Sequence, residues 1–305
     1  MIYSVLDLGT NTFSLLVAQF EHGLIKPIYR TSIAVKLGEG GINEGVIRPE
    51  PFKRGIAAIQ QLYLLAKDHG SKHIFAVATS AIRSASNKQD FLDEVFSLTN
   101  ISIEVINGEE EAELIYKGVM NSIPFTDPVL IMDIGGGSTE FIIGDKEGIF
   151  WKKSYDLGVA RILDLIKPSN PIKEEEVMHV NNLFLNVLHE LKTHSAQHSL
   201  NTLIGVAGPF ESYIEMISSK FNQPYEPSNA YLEIDLTKSK TIHNELISST
   251  YNDRLRMDGL LDYRADMMVL SSIFIQFIIG YLNISEVFVS TATLKEGVIY
   301  SLKDR

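Results

Sequence analysis

The chain has 305 residues, 45% of them hydrophobic and 21% charged, the balance of a globular protein. That length exceeds one ordinary core and predicts two domains of about 150 residues each. The lack of cysteine excludes disulfides, thiolate metal sites and cysteine nucleophiles, and a net charge of −11 argues against general nucleic-acid binding, which needs a basic surface.

In chain order, Val5-Leu6-Asp7-Leu8-Gly9-Thr10-Asn11-Thr12-Phe13-Ser14-Leu15-Leu16-Val17 reads as two apolar strands about a tight turn. No basic region followed by an apolar one precedes it, so no signal peptide and a cytoplasmic location are expected. Gly38, Gly40, Gly41 and Gly45 then predict a mobile loop over 36–45. A helix follows from Pro51 to near Gly70, carrying Phe52, Ile56, Ile59, Tyr63 and Ala66 at helical spacing. A strand over 73–79 runs into Ser80-Ala81-Ile82-Arg83. Asn87 is placed to cap a helix bearing Phe91, Leu92, Val95 and Phe96, and a strand over 101–106 opens through Asn107-Gly108 into Glu109-Glu110-Glu111. This alternation predicts a mixed or parallel sheet flanked by helices.

Pro124 and Pro128 mark a boundary, dividing the chain into domains 1–124 and 125–305. The second domain opens with Val129-Leu130-Ile131-Met132-Asp133-Ile134-Gly135-Gly136-Gly137-Ser138-Thr139-Glu140-Phe141-Ile142-Ile143, which superimposes on the first stretch. Asp133 falls over Asp7, an offset of 133 − 7 = 126 residues, Gly135 over Gly9 and Ser138 over Thr12. A plain hairpin does not require the aspartate. Two copies imply a duplicated domain in which glycine-rich turns offer N–H groups to an anion and a strand-end aspartate holds a cation. A strand near Phe150-Trp151 and a helix over 157–166 come next. They are followed by one long helix over 173–193, a strand over 202–206 and a helix from near Pro209. The loop over 221–230 leads to two further helices. The apolar run 267–282 contains Ser271, Ser272 and Gln276 and is too short to span a bilayer, which predicts a buried core helix. A strand over 286–290 and a terminal helix complete the chain.

Candidate site residues follow from chemistry. Arg83, just past a strand end, either contacts phosphate or pairs with a carboxylate. Glu109 and Glu110 need no role beyond the favourable field at a helix start. His194 and His198 have a zinc-like spacing, but Ser195-Ala196-Gln197 lies between them and other ligands are not evident. Arg30, Lys36, Arg48, Lys53, Arg54, Lys152 and Lys153 are the cations available to attract a polyanion. A scattered, solvated surface explains them equally well.

The motifs together resemble the exopolyphosphatase/guanosine pentaphosphate phosphohydrolase (Ppx/GppA) family across essentially all of the chain. The resemblance is carried by residues 7–12, 78–83, 106–112 and 133–140. Asp156-Leu157-Gly158-Val159-Ala160-Arg161, Tyr263-Arg264-Ala265-Asp266 and Lys295-Glu296-Gly297 match more weakly. It implies an α/β fold of two ribonuclease-H-like, actin-like ATPase domains with the active site between them, in the short two-domain form. It also implies Mg2+-dependent release of the terminal phosphate of inorganic polyphosphate or guanosine pentaphosphate. No nucleic-acid or membrane partner is expected, and members of this type often form homodimers. Carried over by motif, Glu111 is the glutamate that activates water, Asp133 and Glu140 belong to the metal-and-water site, and Asp7 is the acid of the first loop. Gly9, Thr10, Asn11, Thr12, Gly135, Gly136, Gly137 and Ser138, with Arg83 and Gly208, would hold the phosphates. Pro209, Glu113 and Lys295 depart from the usual threonine, arginine and arginine, which bears on substrate choice. Related folds also serve sugar and acetate kinases, and a non-catalytic phosphate sensor is a third reading. Glu111 and Glu140 together favour hydrolysis, since a sensor needs neither.

Overall fold

The computed structural model describes residues 1–225 and 229–302, so residues 226–228 of the loop expected over 221–230 lie outside the described residues. Two mixed sheets organise the chain. The first contains β1 (Ile2–Leu8), β2 (Thr12–Glu21), β3 (Leu24–Ala34), β4 (His73–Ala78) and β5 (Ile103–Val105), in the order β3-β2-β1-β4-β5. The second contains β6 (Val129–Ile134), β7 (Thr139–Asp145), β8 (Gly148–Tyr155), β9 (Thr202–Val206), β10 (Tyr231–Ile234) and β11 (Glu286–Ser290), in the order β10-β11-β9-β6-β7-β8. In each, three strands form an antiparallel meander, and the first of them then pairs in parallel with a strand that arrives after a helical crossover. Read from its meander edge, β8-β7-β6-β9-β11 repeats β3-β2-β1-β4-β5. The duplication therefore extends from the two Asp-x-Gly turns to whole sheets, and the architecture is the paired ribonuclease-H-like one.

Helices cover the outer faces. On the first sheet α1 (Pro49–Asp68) and α3 (Lys88–Thr99) bury Ile59, Leu62 and Phe91 against Leu6, Leu8, Phe13 and Leu15, while α2 (Ser80–Ser84) is a single turn after β4. Three helices after β8 serve the second sheet: α5 (Val159–Ile166), α6 (Glu174–Val187) and α7 (His189–Ser195). The same half also contains α8 (Ala207–Phe221), α9 (Leu236–Ser248), the short α10 (Tyr251–Arg254) and α11 (Met268–Leu282). As expected, α11 is a core helix, with Phe274 stacked on Phe184 at 4.0 Å and set against Phe141. No helix among the described residues is long and apolar enough to cross a membrane.

Between the sheets lie α4 (Gly108–Met120) and α12 (Leu294–Ser301), and they are exchanged. Helix α4, from the first half, packs on β7 and β8, whereas α12, from the end of the chain, packs on β1. The two helices bury Ala112, Ile115, Val119, Leu294, Val298 and Ile299 in a layer shared by both sheets. Glycines allow their close crossing: a Cβ at position 118 would lie 2.2 Å from the Thr293 carbonyl oxygen, and one at position 297 only 1.7 Å from that of Leu114.

Three expectations need correction, and two strands were not foreseen. Residues 36–45 are anchored rather than free: Val35 and Lys36 donate to the Asn11 carbonyl at 2.9 and 2.8 Å, Gly38 to that of Thr10 at 3.2 Å, and Leu37 and Ile42 are buried. The long helix breaks at Leu188 (φ −94°, ψ 19°), where Leu188 and Leu191 both turn fully into the core. Asn87 does not cap α3; its amide bonds both the N–H and the carbonyl of Ile47, at 3.0 and 2.9 Å. Strands β3 and β10 carry no continuous apolar stripe. The first is a mostly exposed edge containing Pro27, and the second has four residues, so neither announced itself.

Candidate active site

The two glycine-rich turns have the same internal construction. Gly9 donates to the Thr12 carbonyl at 3.1 Å and Gly135 to that of Ser138 at 3.0 Å. Other carbonyls of the two turns accept hydrogen bonds from neighbouring segments. Those of Thr10 and Asn11 accept from Gly38, Val35 and Lys36. The carbonyls of Gly135 and Gly136 accept from Val159, Ala160 and Arg161 in the first turn of α5, at 2.9 to 3.1 Å. Arg161 adds a guanidinium bond to the Gly137 carbonyl at 3.0 Å and reaches the Ile42 carbonyl at 3.2 Å, joining the second turn to the segment behind the first. With these carbonyls engaged, the N–H groups of each turn not used inside it can serve an anion. The turns also touch: a Cβ at Gly136 would meet the Asn11 amide at 2.5 Å, and one at Gly137 the Ser80 and Thr10 hydroxyls at 2.5 and 2.8 Å.

Both turns line one cleft of about 170 Å³ together with Asp7, Glu111, Asp133, Gly208, Arg264 and Lys295. Asp7 and Asp133 project from the ends of β1 and β6, and Ser14 on the neighbouring strand donates to Asp7 at 3.4 Å. Glu111 enters from α4. Asn107 caps that helix by accepting from the N–H groups of Glu109 and Glu110, and Glu110 bonds back to the Asn107 N–H at 2.8 Å. The box occupies Glu110 and fixes the first turn so that Glu111 points inward, 7% exposed. Arg83 donates to Glu111 at 2.8 Å and to the Ile106 carbonyl at 3.1 Å. Glu140, 1% exposed, accepts from Ser154 at 2.7 Å and from the Ser138 hydroxyl.

Four carboxylates in so small a volume resist ionisation together. Burial, then the charge of Glu111, pushes Asp133 up to about 8, with Lys295 pulling it back. Burial and Asp133 push Glu140 up to about 7. Burial and Glu140 hold Glu111 well above the usual carboxylate range against the opposing pull of Arg83, and Asp7 is raised mainly by burial. Such a concentration of negative charge calls for a cation.

The donors suit a hard divalent ion. All are carboxylate oxygens, the class favoured by Mg2+ over softer metals. No group of three or more His, Cys, Asp or Glu among the described residues is gathered as a self-sufficient metal cage.

The cleft thus gathers Asp7, Gly9, Thr10, Asn11, Thr12, Glu111, Asp133, Gly135, Gly136, Gly137, Ser138 and Gly208, with Glu140 buried behind it. Arg83 does not line it; its guanidinium is committed to Glu111, the carboxylate pairing weighed against phosphate contact. Glu113 pairs with Lys152 at the contact of α4 with β8, outside the cleft, whereas Pro209 and Lys295 are in it. All seven surface cations are paired: Arg30 with Glu296, Lys36 with Asp266, Arg48 with Glu44, Lys53 with Glu50, Arg54 with Glu39, Lys152 with Glu113, and Lys153 with Glu190. His194 and His198 stack on Trp151 and Phe150 at 5.1 and 4.6 Å, so their spacing reflects packing of the end of α7 and the turn after it against aromatic rings of β8. Ser14 and Ser154 went unpredicted. Ser154 is legible only from the β7–β8 register, where it stands opposite Glu140.

A model of the Ppx/GppA phosphatase family matches residues 16–305. A crystal structure of an exopolyphosphatase from Cytophaga hutchinsonii is 35% identical and superimposes with a TM-score of 0.96, over 100% of this chain and 98% of that one. A Ppx-GppA enzyme from Aquifex aeolicus, 24% identical with a TM-score of 0.80 over 99% of both chains, shares the fold. A putative exopolyphosphatase of Haemophilus influenzae is 25% identical over 98% of this chain and 91% of its own length. The chain also matches, at 31% identity over 93% of its length, a bifunctional 3-dehydroquinate synthase/phosphatase of Fusobacterium nucleatum, of which it spans 44%.

Proposed function

Because the chain belongs to the Ppx/GppA phosphatase family, we propose that it is a Mg2+-dependent exopolyphosphatase in which Glu111 activates the water that attacks the terminal phosphate of inorganic polyphosphate. The observation that carries this reading is the meeting of the two glycine-rich turns and the buried Glu111 in one cleft. A polyphosphate repels nucleophiles through its own charge, so catalysis is chiefly positioning and neutralisation. The N–H groups of the two turns would take non-bridging oxygens, placing the terminal phosphorus beside Glu111. Mg2+ taken by one or two of the carboxylates Asp7, Asp133 and Glu140 would supply the charge that lets substrate oxygens approach them.

Glu111 is suited to accept the proton of the attacking water. Its burial and the nearby Glu140 make it a stronger base than an exposed glutamate, and Arg83 fixes one oxygen while leaving the other for water. Once protonated, it can return the proton as the product phosphate leaves. Guanosine pentaphosphate is the alternative substrate, and the segment that opens α8 argues against it. Helix α8 begins at Ala207, and Pro209 in its first turn removes one of the N–H donors that would face a distal phosphate or nucleoside. Phosphate release measured by malachite green with polyphosphate, guanosine pentaphosphate and ATP separates polyphosphatase, nucleotide phosphohydrolase and kinase-like readings. Release from none of them would refute the hydrolase assignment.

A further inference from the structure

The cations around the cleft are already engaged, with one exception. Arg83 is bound to Glu111. Arg161 is spent on the Gly137 and Ile42 carbonyls. Arg264 lines the cleft but donates to the Gly208 carbonyl at 2.7 Å and to Ser212 at 3.0 Å, and pairs with Glu211 at 3.1 Å. Lys295 also lines the cleft, and among the described residues its ammonium makes no ion pair. Its one hydrogen bond, to the Thr293 hydroxyl, is 3.3 Å long, which leaves two of its three donors unused.

The position itself is electrostatically unfavourable. Lys295 is the second residue of α12, where the helix field disfavours a cation. A lysine kept there gains by facing negative charge, and its field is felt by Asp7 and Asp133 across the cleft. Glu296, the next residue, is turned away: its carboxylate accepts from the Thr293 N–H at 2.7 Å and pairs with Arg30. So Glu296 is engaged by Thr293 and Arg30, and the Lys295 ammonium, which lines the cleft, has no carboxylate paired to it.

We propose that Lys295 is a catalytic residue that donates hydrogen bonds to the terminal phosphoryl oxygens of the chain held by the two turns, an assignment that rests on the hydrolase reading above. Lysine is a compact charge that can follow the phosphoryl oxygens as they move during displacement. Arg83, by contrast, acts through Glu111 and is a positioning residue.

The test measures binding by calorimetry of tripolyphosphate with Mg2+ in full-length Glu111→Gln protein, and in the same protein carrying Lys295→Gln or Lys295→Arg. Losing one charge-assisted contact should weaken binding about tenfold or more in the glutamine variant. The arginine variant, which keeps the charge, should stay within about threefold of its parent. Binding by the glutamine variant within about twofold of the parent, or equal weakness in both variants, overturns the assignment. Failure of the parent to bind tripolyphosphate overturns it as well. Phosphate release by the wild-type protein is scored separately. A protein that binds through Lys295 without turnover refutes the hydrolase reading and leaves this one standing.

Discussion

Replacing Glu111 with glutamine separates chemistry from folding, because the structure predicts opposite effects on the two. Glutamine keeps the volume and an acceptor for Arg83, now 2.8 Å from the carboxylate, but cannot take a proton from water. Loss of a general base costs about 10²–10⁴-fold in rate, or roughly 3–5 kcal/mol on the barrier at 1.36 kcal/mol per decade. The same change removes a buried charge that resists ionisation and that, after burial itself, is the main cause of the rise of Asp133 to about 8. The metal-free variant should therefore melt at the wild-type temperature or above it at pH 8. The assay pairs phosphate release from saturating tripolyphosphate with thermal melts in EDTA at that pH. A kcat within about threefold of wild type would remove Glu111 as the base. A markedly lower melting temperature would mean that the Glu111–Arg83 pair is mainly a structural tie.

Metal removal should abolish turnover and excess Mg2+ restore it; full turnover in metal-free buffer, verified by elemental analysis, contradicts the proposed role of the carboxylates. For Asp133 and Glu140, folded-state values of about 8 and about 7 exceed the ordinary 3.8 and 4.5, so the folded protein binds more protons than the unfolded chain between those limits. Metal-free stability should then fall as pH rises from about 4.5 to 8, and Mg2+ should flatten that slope; a metal-free melting temperature that rises over this range refutes the electrostatic picture. Pro209→Thr should raise kcat/KM for guanosine pentaphosphate relative to polyphosphate, and an unchanged ratio removes Pro209 as a determinant. Gly297→Ala places a Cβ 1.7 Å from the Leu114 carbonyl oxygen, an overlap that forces α4 and α12 apart at a cost of about 1–3 kcal/mol or more. A wild-type denaturation midpoint would show the crossing to be looser than described.

Local rules recovered whatever the sequence repeats or patterns strongly. Asp7 and Asp133 were readable because the same turn occurs twice with the same spacing, and α11 because a run so apolar has few other homes. Glu111 was readable only through resemblance: in isolation its three-glutamate run is an ordinary helix start, and what sets it apart is that Asn107 engages Glu110 and leaves the next residue to face inward. Tertiary pairing hid the rest. The glycines of 38–45 suggested motion, yet the backbone of 35–38 is claimed by the first turn, a partner 24 or more residues away. The roles of Arg161 and Lys295 depend on contacts between segments more than 100 residues apart, which no local period encodes.

The exchange of α4 and α12 has a consequence for synthesis. A nascent chain emerging from the ribosome can assemble β1 to β5 early, but the helix that covers β1 on the inner side is translated only after every strand of both sheets. Until residues 294–301 emerge, Val5, Leu16 and Ala18 lack part of their cover, and α4 lacks the partner that Gly118 is shaped to receive. The closing step of folding is then the docking of α12, which in one movement seals the layer between the sheets and carries Lys295 to the cleft. A chain stalled before residue 294 would have both turns and all four carboxylates, yet an open apolar seam. Such a chain would present an aggregation-prone surface until α12 docks.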